Sequence, residues 1–245
     1  MKFEVGLATD IGRKRSQNQD NYAAHAELGL FIVSDGMGGH QGGEIASALA
    51  VETIVTSVRK SQENKAWDPI KTLKRAIESA NQAVFEKAQS ESKLMGMGTT
   101  TTALVFSKNK VTLGHVGDSR CYYLRSGALW QATRDHSLVQ EKLRAGLITR
   151  AQLKTDRMKN VITRSVGFEK NVKVEIYQMK VSPGDCFLLC SDGLSGLLED
   201  QQIQEIAQRE IFEGNNPQKA VIEMIAAANF HGGDDNITTL IIQVN

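Results

Sequence analysis

Gly29-Leu30-Phe31-Ile32-Val33-Ser34-Asp35-Gly36-Met37-Gly38-Gly39-His40 runs a continuously apolar segment straight into an acidic, glycine-rich loop. An apolar run of this length, bounded by turn residues, reads as a strand buried on both faces. Short strands are also expected before it, at 2–9 and 21–26. Two helical patterns then follow with no strand between them. The first covers about 44–59 and carries Ile45, Leu49, Ile54 and Val58 on one face. The second opens at Asp68-Pro69, an N-cap followed by proline at the first helical position, and continues through Ile70, Leu73, Ile77, Ala80 and Val84.

Further along, β patterns return at 99–106, 111–116, 121–124 and 128–131, punctuated by turns at Lys108-Asn109-Lys110 and Ser126-Gly127. Residues 134–168 are polar and irregular, with short helical stretches near 138–145 and a capping box at Thr149 and Gln152, and read as an insertion over a sheet edge. Strands are expected at 172–178 and 185–189, then helices at about 200–210, with Asp200 as N-cap, and at 217–229 behind Pro217. The last strand is 237–244. Hairpin-linked strands need no crossover helices, so the order predicts an α+β fold, a four-layer α-β-β-α sandwich of two mainly antiparallel sheets flanked by helix pairs. With no Pro- or Ser-rich linker and no internal repeat, residues 1–245 read as a single domain.

Composition narrows the function classes. Lys and Arg number 29 against 28 Asp and Glu, a net charge of +1, which lacks the basic excess of a nucleic-acid binder. No apolar stretch approaches the roughly 20 residues of a membrane span, and the N-terminus lacks a signal-peptide core. The chain therefore reads as cytoplasmic and membrane-free. Cys121, Cys186 and Cys190 read as small core hydrophobes, not as a metal or redox pair.

Aspartate recurs at strand-to-loop junctions: Asp20, Asp35, Asp118, Asp192 and Asp234-Asp235, four of the five sites with glycine close by. Any one of them alone is an ordinary turn. Strands of one sandwich bring their ends together, however, and two carboxylates about 4 Å apart repel by roughly 4 kcal/mol at an effective dielectric near 20. A divalent cation removes that penalty, and oxygen-only ligands suit Mg²⁺ or Mn²⁺. Five scattered histidines give no zinc spacing. A pair of hard cations suits phosphoryl displacement, and Arg13, Lys14 and Arg15 stand ready as a cationic phosphate holder or as a solvated basic turn.

In sum these residues resemble the metal-dependent Ser/Thr protein phosphatases of the 2C type, in their bacterial form. The motifs are Thr9-Asp10-Ile11-Gly12 with Arg15 and Asn18-Gln19-Asp20; Asp35-Gly36-Met37-Gly38-Gly39-His40 with Gly42-Gly43; Gly98-Thr99-Thr100; Gly117-Asp118-Ser119-Arg120; Asp135-His136-Ser137; Ser191-Asp192-Gly193-Leu194; and Asp235-Asn236-Ile237-Thr238. They occur in the family's order across the chain.

The resemblance implies that Asp35 bridges two Mn²⁺ or Mg²⁺ ions, with the Gly36 carbonyl on one and Asp192 and Asp235 on the other. Asp118 with Asp192 would hold a third ion. Asp20 and Asn236 would act from the second shell, and Arg15, not Arg13, would bind the substrate phosphate. A metal-bridging hydroxide would attack phosphorus without a phosphoenzyme. Met37 stands where many eukaryotic members carry the histidine proposed as general acid. His40 is then either its substitute or a residue that fixes the loop. Gln19 replaces an acidic residue of some relatives. Residues 134–168 match the family's flap, with Asn160-Val161-Ile162-Thr163-Arg164 as its return arm. Expected partners are phosphorylated proteins, substrates of a Ser/Thr kinase, met by a monomeric enzyme. The alternative is a non-catalytic phosphoprotein-binding module, which an intact set of carboxylates argues against. A dinucleotide loop fails because Gly36-Met37-Gly38-Gly39-His40-Gln41 lacks the third glycine.

Overall fold

The computed structural model describes the 245-residue chain except residues 39–41, 65 and 154. In chain order it holds β1 (Phe3–Asp10), β2 (Asp20–His25), β3 (Leu30–Met37), α1 (Gly42–Gln62), α2 (Pro69–Ser90), β4 (Gly98–Thr99), β5 (Thr101–Ser107), β6 (Lys110–Val116), β7 (Arg120–Arg125) and β8 (Ala128–Gln131). Then come α3 (Leu138–Arg144), β9 (Glu175–Lys180), β10 (Cys186–Cys190), α4 (Asp192–Ser195), α5 (Asp200–Ala207), α6 (Pro217–Phe230) and β11 (Ile237–Val244). One sheet has the order β1-β11-β10-β7-β8; the other runs β2-β3-β5-β6-β9, with β4 beside β3. Every pairing among these strands is antiparallel.

Side-chain alternation explains the continuous apolar runs. Leu30 and Ile32 turn outward onto Ile54, Leu73 and Ile77 of α1 and α2, while Phe31 and Val33 turn inward. In the opposite sheet Phe187 and Leu189 face inward, and Cys186, Leu188 and Cys190 lie under Ile203, Val221 and Met224 of α5 and α6. Both faces of each sheet are dry, so their central strands carry the unbroken hydrophobicity usual in parallel sheets. Phe31, Phe106 and Phe187 meet edge-on between the sheets, with ring centroids 5.8 and 5.5 Å apart.

Helix entry follows the sequence signals at two points. The Asp68 side chain accepts from the Ile70 and Lys71 amides ahead of α2, and Asn216 caps α6 behind Pro217. At α5 the expectation is off by one residue. Glu199 is the cap, answered by Gln202, and Asp200 is already helical with its carboxylate accepting the Tyr122 hydroxyl at 3.0 Å. The expected helix over 200–210 also widens into a π-helical turn at Gln208–Glu213. Asp35 lies within β3, not after it, because β4 continues the ladder and pairs Gly36 with Thr99. Segment 134–168 leaves β8 at the rim of one sheet and returns to β9 at the rim of the other, so it spans both sheets instead of covering one edge. The Thr149 capping box is present there.

Candidate active site

The antiparallel register of β2 and β3 sets Asp20 opposite Asp35 at one end of their sheet. In the other sheet β7 starts at Arg120 opposite Cys190, the last residue of β10, and β11 starts at Ile237 opposite Asp10. Asp118, Asp192 and Asp235 therefore stand beside matching strand ends. A hydrogen bond from the Ser191 hydroxyl to Asp20 Oδ2 at 2.8 Å joins the two sheets at that end.

Hydroxyls and amides hold this rim in place. The Asp35 amide donates to Thr100 Oγ1 at 2.8 Å, and its carbonyl accepts from the Thr99 hydroxyl and the Thr100 amide, both at 2.8 Å. Thr100 Oγ1 in turn lies 2.7 Å from Ser119 Oγ, linking Asp35 to the Asp118 loop. Asn236 is a bracket. Its Oδ1 accepts the Gln19 amide at 2.8 Å, and its Nδ2 donates to the Ile11 and Gln17 carbonyls at 2.9 Å each. The glycines make room for backbone against backbone. A Cβ on Gly36 would meet the Gly43 carbonyl oxygen at 2.0 Å, and one on Gly193 the Asn236 oxygen at 2.0 Å.

Electrostatically the rim is overloaded with negative charge. Burial above all, then Asp20, Asp192 and further aspartates, pushes the Asp35 carboxyl well above the usual range. Burial and Asp192 do the same to Asp118. Asp192 is raised by burial and Asp235, and Asp20 is pushed up to about 7, mainly by burial. Three buried oxygens, Oδ1 of Asp20, Asp118 and Asp192, have no hydrogen-bond partner among the described residues. Orphaned carboxylate oxygens that repel one another are what a bound cation would satisfy, and the donor set is oxygen-only. Among the described residues no group of three or more His, Cys, Asp or Glu side chains is close enough together to hold a metal ion as the rim stands.

The structure brings Asp20, Asp35, Gly36, Asp118, Asp192, Asp235, Asn236 and Arg15 to the same end of the sandwich. Arg15 Nη2 lies 2.6 Å from Asp235 Oδ2. Of the neighbouring acids, Asp234 pairs with Lys14 at 2.6 Å in solvent, and Asp135 is gripped by Arg120. The Arg13 amide donates to the Gly233 carbonyl at 2.7 Å. His40, the candidate general acid, lies outside the described residues. Sequence reasoning missed Ser191 and Ser119 as supports of the carboxylates. Both sit directly beside a motif aspartate, which was the available signal.

The family model for protein phosphatase 2C matches residues 11–225. The chain is 36% identical to the serine/threonine phosphatase stp of Listeria welshimeri over 248 residues, covering 97% of this chain and 94% of that protein. It is 34% identical to the protein phosphatase PhpP of Streptococcus pneumoniae, covering 99% and 98%. The crystal structure of the Mycobacterium tuberculosis serine/threonine phosphatase PstP/Ppp superposes with a TM-score of 0.91 at 32% identity over the whole of both chains. The catalytic domain of PstP in complex with two manganese ions gives 0.88 at 32% identity over 99% of each. Fold and similarity define a protein phosphatase of the Ser/Thr class. The chain belongs to the protein phosphatase 2C family.

Proposed function

We propose that residues 1–245 act as one catalytic domain that hydrolyses phosphoserine and phosphothreonine in proteins by direct attack of water, with Mn²⁺ or Mg²⁺ held by Asp35, Asp192, Asp235 and the Gly36 carbonyl. Asp118 and Asp192 would take a third ion. The observation that carries the reading is the set of orphaned carboxylate oxygens on Asp20, Asp118 and Asp192. Bound ions would supply a lowered water pKa and neutralise phosphoryl oxygens. Asp20, fixed by Ser191, would orient waters from behind the ligands, and Asn236 would keep Asp235 and the Asp20 strand in register. Arg15, on the rim and half-exposed, is the group available to receive the phosphate.

A covalent phosphocysteine is unsupported. Cys121, Cys186 and Cys190 are buried, and burial pushes the thiols of Cys186 and Cys190 up to about 12. The three free cysteines also favour a reducing, cytoplasmic setting. Among the described residues no helix is long and apolar enough to cross a membrane. Two open sheet edges carry local plugs: the Gln218 amide caps the Leu7 amide and carbonyl on β1, and Asn21 Oδ1 takes the Tyr22 amide on β2. Such blunted edges favour a monomer. The substrates would be proteins modified by a Ser/Thr kinase.

Purified protein should release phosphate from a phosphothreonine peptide with Mn²⁺, stop on EDTA treatment and trap no radiolabelled phosphate on the chain after acid quench. Full activity after complete metal removal contradicts the reading.

A further inference from the structure

His136 is the residue on which the flap and the Asp118 loop meet. It is 3% exposed and stacks on His115 of β6 with ring centroids 4.8 Å apart. Its main chain closes the base of the flap. The His136 amide donates to the Gly117 carbonyl at 2.8 Å, and the His136 carbonyl accepts the Thr163 amide of the return arm at 2.8 Å. One residue further, Ser137 bridges to Ile162. The preceding residue anchors the same root to the other sheet: Asp135 receives Arg120 of β7 at 2.8 to 3.1 Å and Gln131 of β8 at 2.7 Å.

The side chain completes the junction with a defined polarity. The Gly117 amide lies 3.0 Å from His136 Nδ1. A backbone amide can only donate, so Nδ1 must be the bare, accepting nitrogen and the ring proton resides on Nε2. That proton is directed to Glu175 Oε1 of β9 at 3.2 Å. Arg164 Nη1, 2.9 Å from Nε2, cannot donate to a protonated nitrogen, and it has the Lys173 carbonyl at 3.1 Å and Glu175 at 3.6 Å as partners. Burial also keeps the imidazole neutral. Gly117 has φ of +111°, a conformation open to glycine, and the bond from its amide to His136 fixes the backbone just ahead of Asp118.

We propose that His136 is a positioning residue of the phosphatase: Nδ1 aims the Gly117-Asp118 loop, the main chain holds the flap's return arm at Thr163, and Nε2 binds Glu175, which pairs with Arg164 of that arm, so that flap and Asp118 are set as one unit. The turnover consequence rests on the phosphatase reading above; the structural consequence does not.

Two near-isosteres separate the contacts, since the Asn amide oxygen stands where Nδ1 stood and the Gln amide group reaches the Nε2 position. Hydrogen exchange should be followed for segments containing Gly117 and Thr163, beside steady-state hydrolysis of a phosphothreonine peptide and a small aryl phosphate with Mn²⁺. His136→Gln should expose the Gly117 amide, with exchange roughly tenfold faster for one lost buried hydrogen bond. Its kcat should fall by about 10- to 100-fold on both substrates, as for other supporting partners of a metal site. His136→Asn should keep Gly117 protected, lower kcat less than His136→Gln does, and raise KM for the peptide alone. Equal exchange at Gly117 in the two variants overturns the proposal. If either variant does not fold, nitrogen NMR of the wild-type protein decides: Nδ1 bare and Nε2 protonated supports it, and the reverse tautomer refutes it. Absence of turnover in the wild type would count against the phosphatase reading and leave the exchange and NMR results to judge the junction.

Discussion

Asp118 and Asp135 are 17 positions apart, both buried, both next to a β7 terminus, and they are treated in opposite ways. Asp135 has both oxygens occupied: Arg120 makes three bonds to it through Nε and Nη2, and Gln131 adds a fourth. Asp118 keeps Oδ1 without a partner among the described residues, faces Asp192, and has its carboxyl pushed well up by burial and that neighbour. The chain thus places a bonded arginine on the carboxylate that serves the architecture and leaves Asp118 of the acidic rim with burial and Asp192 outweighing the more distant Arg120. Of the five rim aspartates, Asp235 is the one ion-paired with an arginine among the described residues, and that arginine, Arg15, is half-exposed. The contrast is the physical content of the proposed metal site.

The strongest way to break the contrast is at Asp192. Asp192→Asn should lower phosphopeptide turnover beyond the roughly 10- to 100-fold that outer partners are worth, and unchanged turnover would remove Asp192 from the catalytic set. Asn236→Ala should fall within that roughly 10- to 100-fold range, because it frees the Gln19 amide and two carbonyls without touching a ligand; kinetics at saturating Mn²⁺ would check it.

Stability comes next in size. Asp135→Asn strips Arg120 of its buried partner and should cost about 3 kcal/mol in urea unfolding. Asp118→Asn, measured in EDTA, should instead raise stability by about 1 kcal/mol by relieving a like-charge contact. If both destabilise equally, the two aspartates are not different in kind.

A smaller effect is pH-dependent. His115 is held down to about 4, chiefly by burial and then by His136, against the pull of its bond to the Arg134 carbonyl and of Asp135 and Glu175. Its neutral form is the native one. The stability it contributes is present above about pH 6.5 and is lost as pH falls towards 4, on the order of 3 kcal/mol in total. His115→Gln should flatten that part of the acid limb of unfolding; an unaltered acid limb would contradict it.

Much of this arrangement was legible in the sequence where local chemistry is decisive. Leu30 to Val33 announced a doubly buried strand, Asp68-Pro69 and Pro217 marked helix starts, and aspartates at strand ends marked the rim. What could not be read depended on partners distant along the chain. Asp118 and Asp135 look alike as motifs until Arg120 is placed beside one of them. Asp200 looked like a cap until Tyr122 claimed its carboxylate and Glu199 took over. Ser191 stood in its motif with no role of its own until its hydroxyl was found on Asp20, 171 positions away. The π-helical turn at Gln208–Glu213 was not read either; its Arg209 and Glu210 pair with Glu223 and Lys219 of α6, partners that no local pattern names.

The central claim, that the acidic rim is completed by divalent cations, is tested most directly by calorimetric titration of Mn²⁺ into metal-stripped wild-type protein at neutral pH. The account predicts saturable binding of at least two ions. No binding heat, or a single weak site, would contradict it.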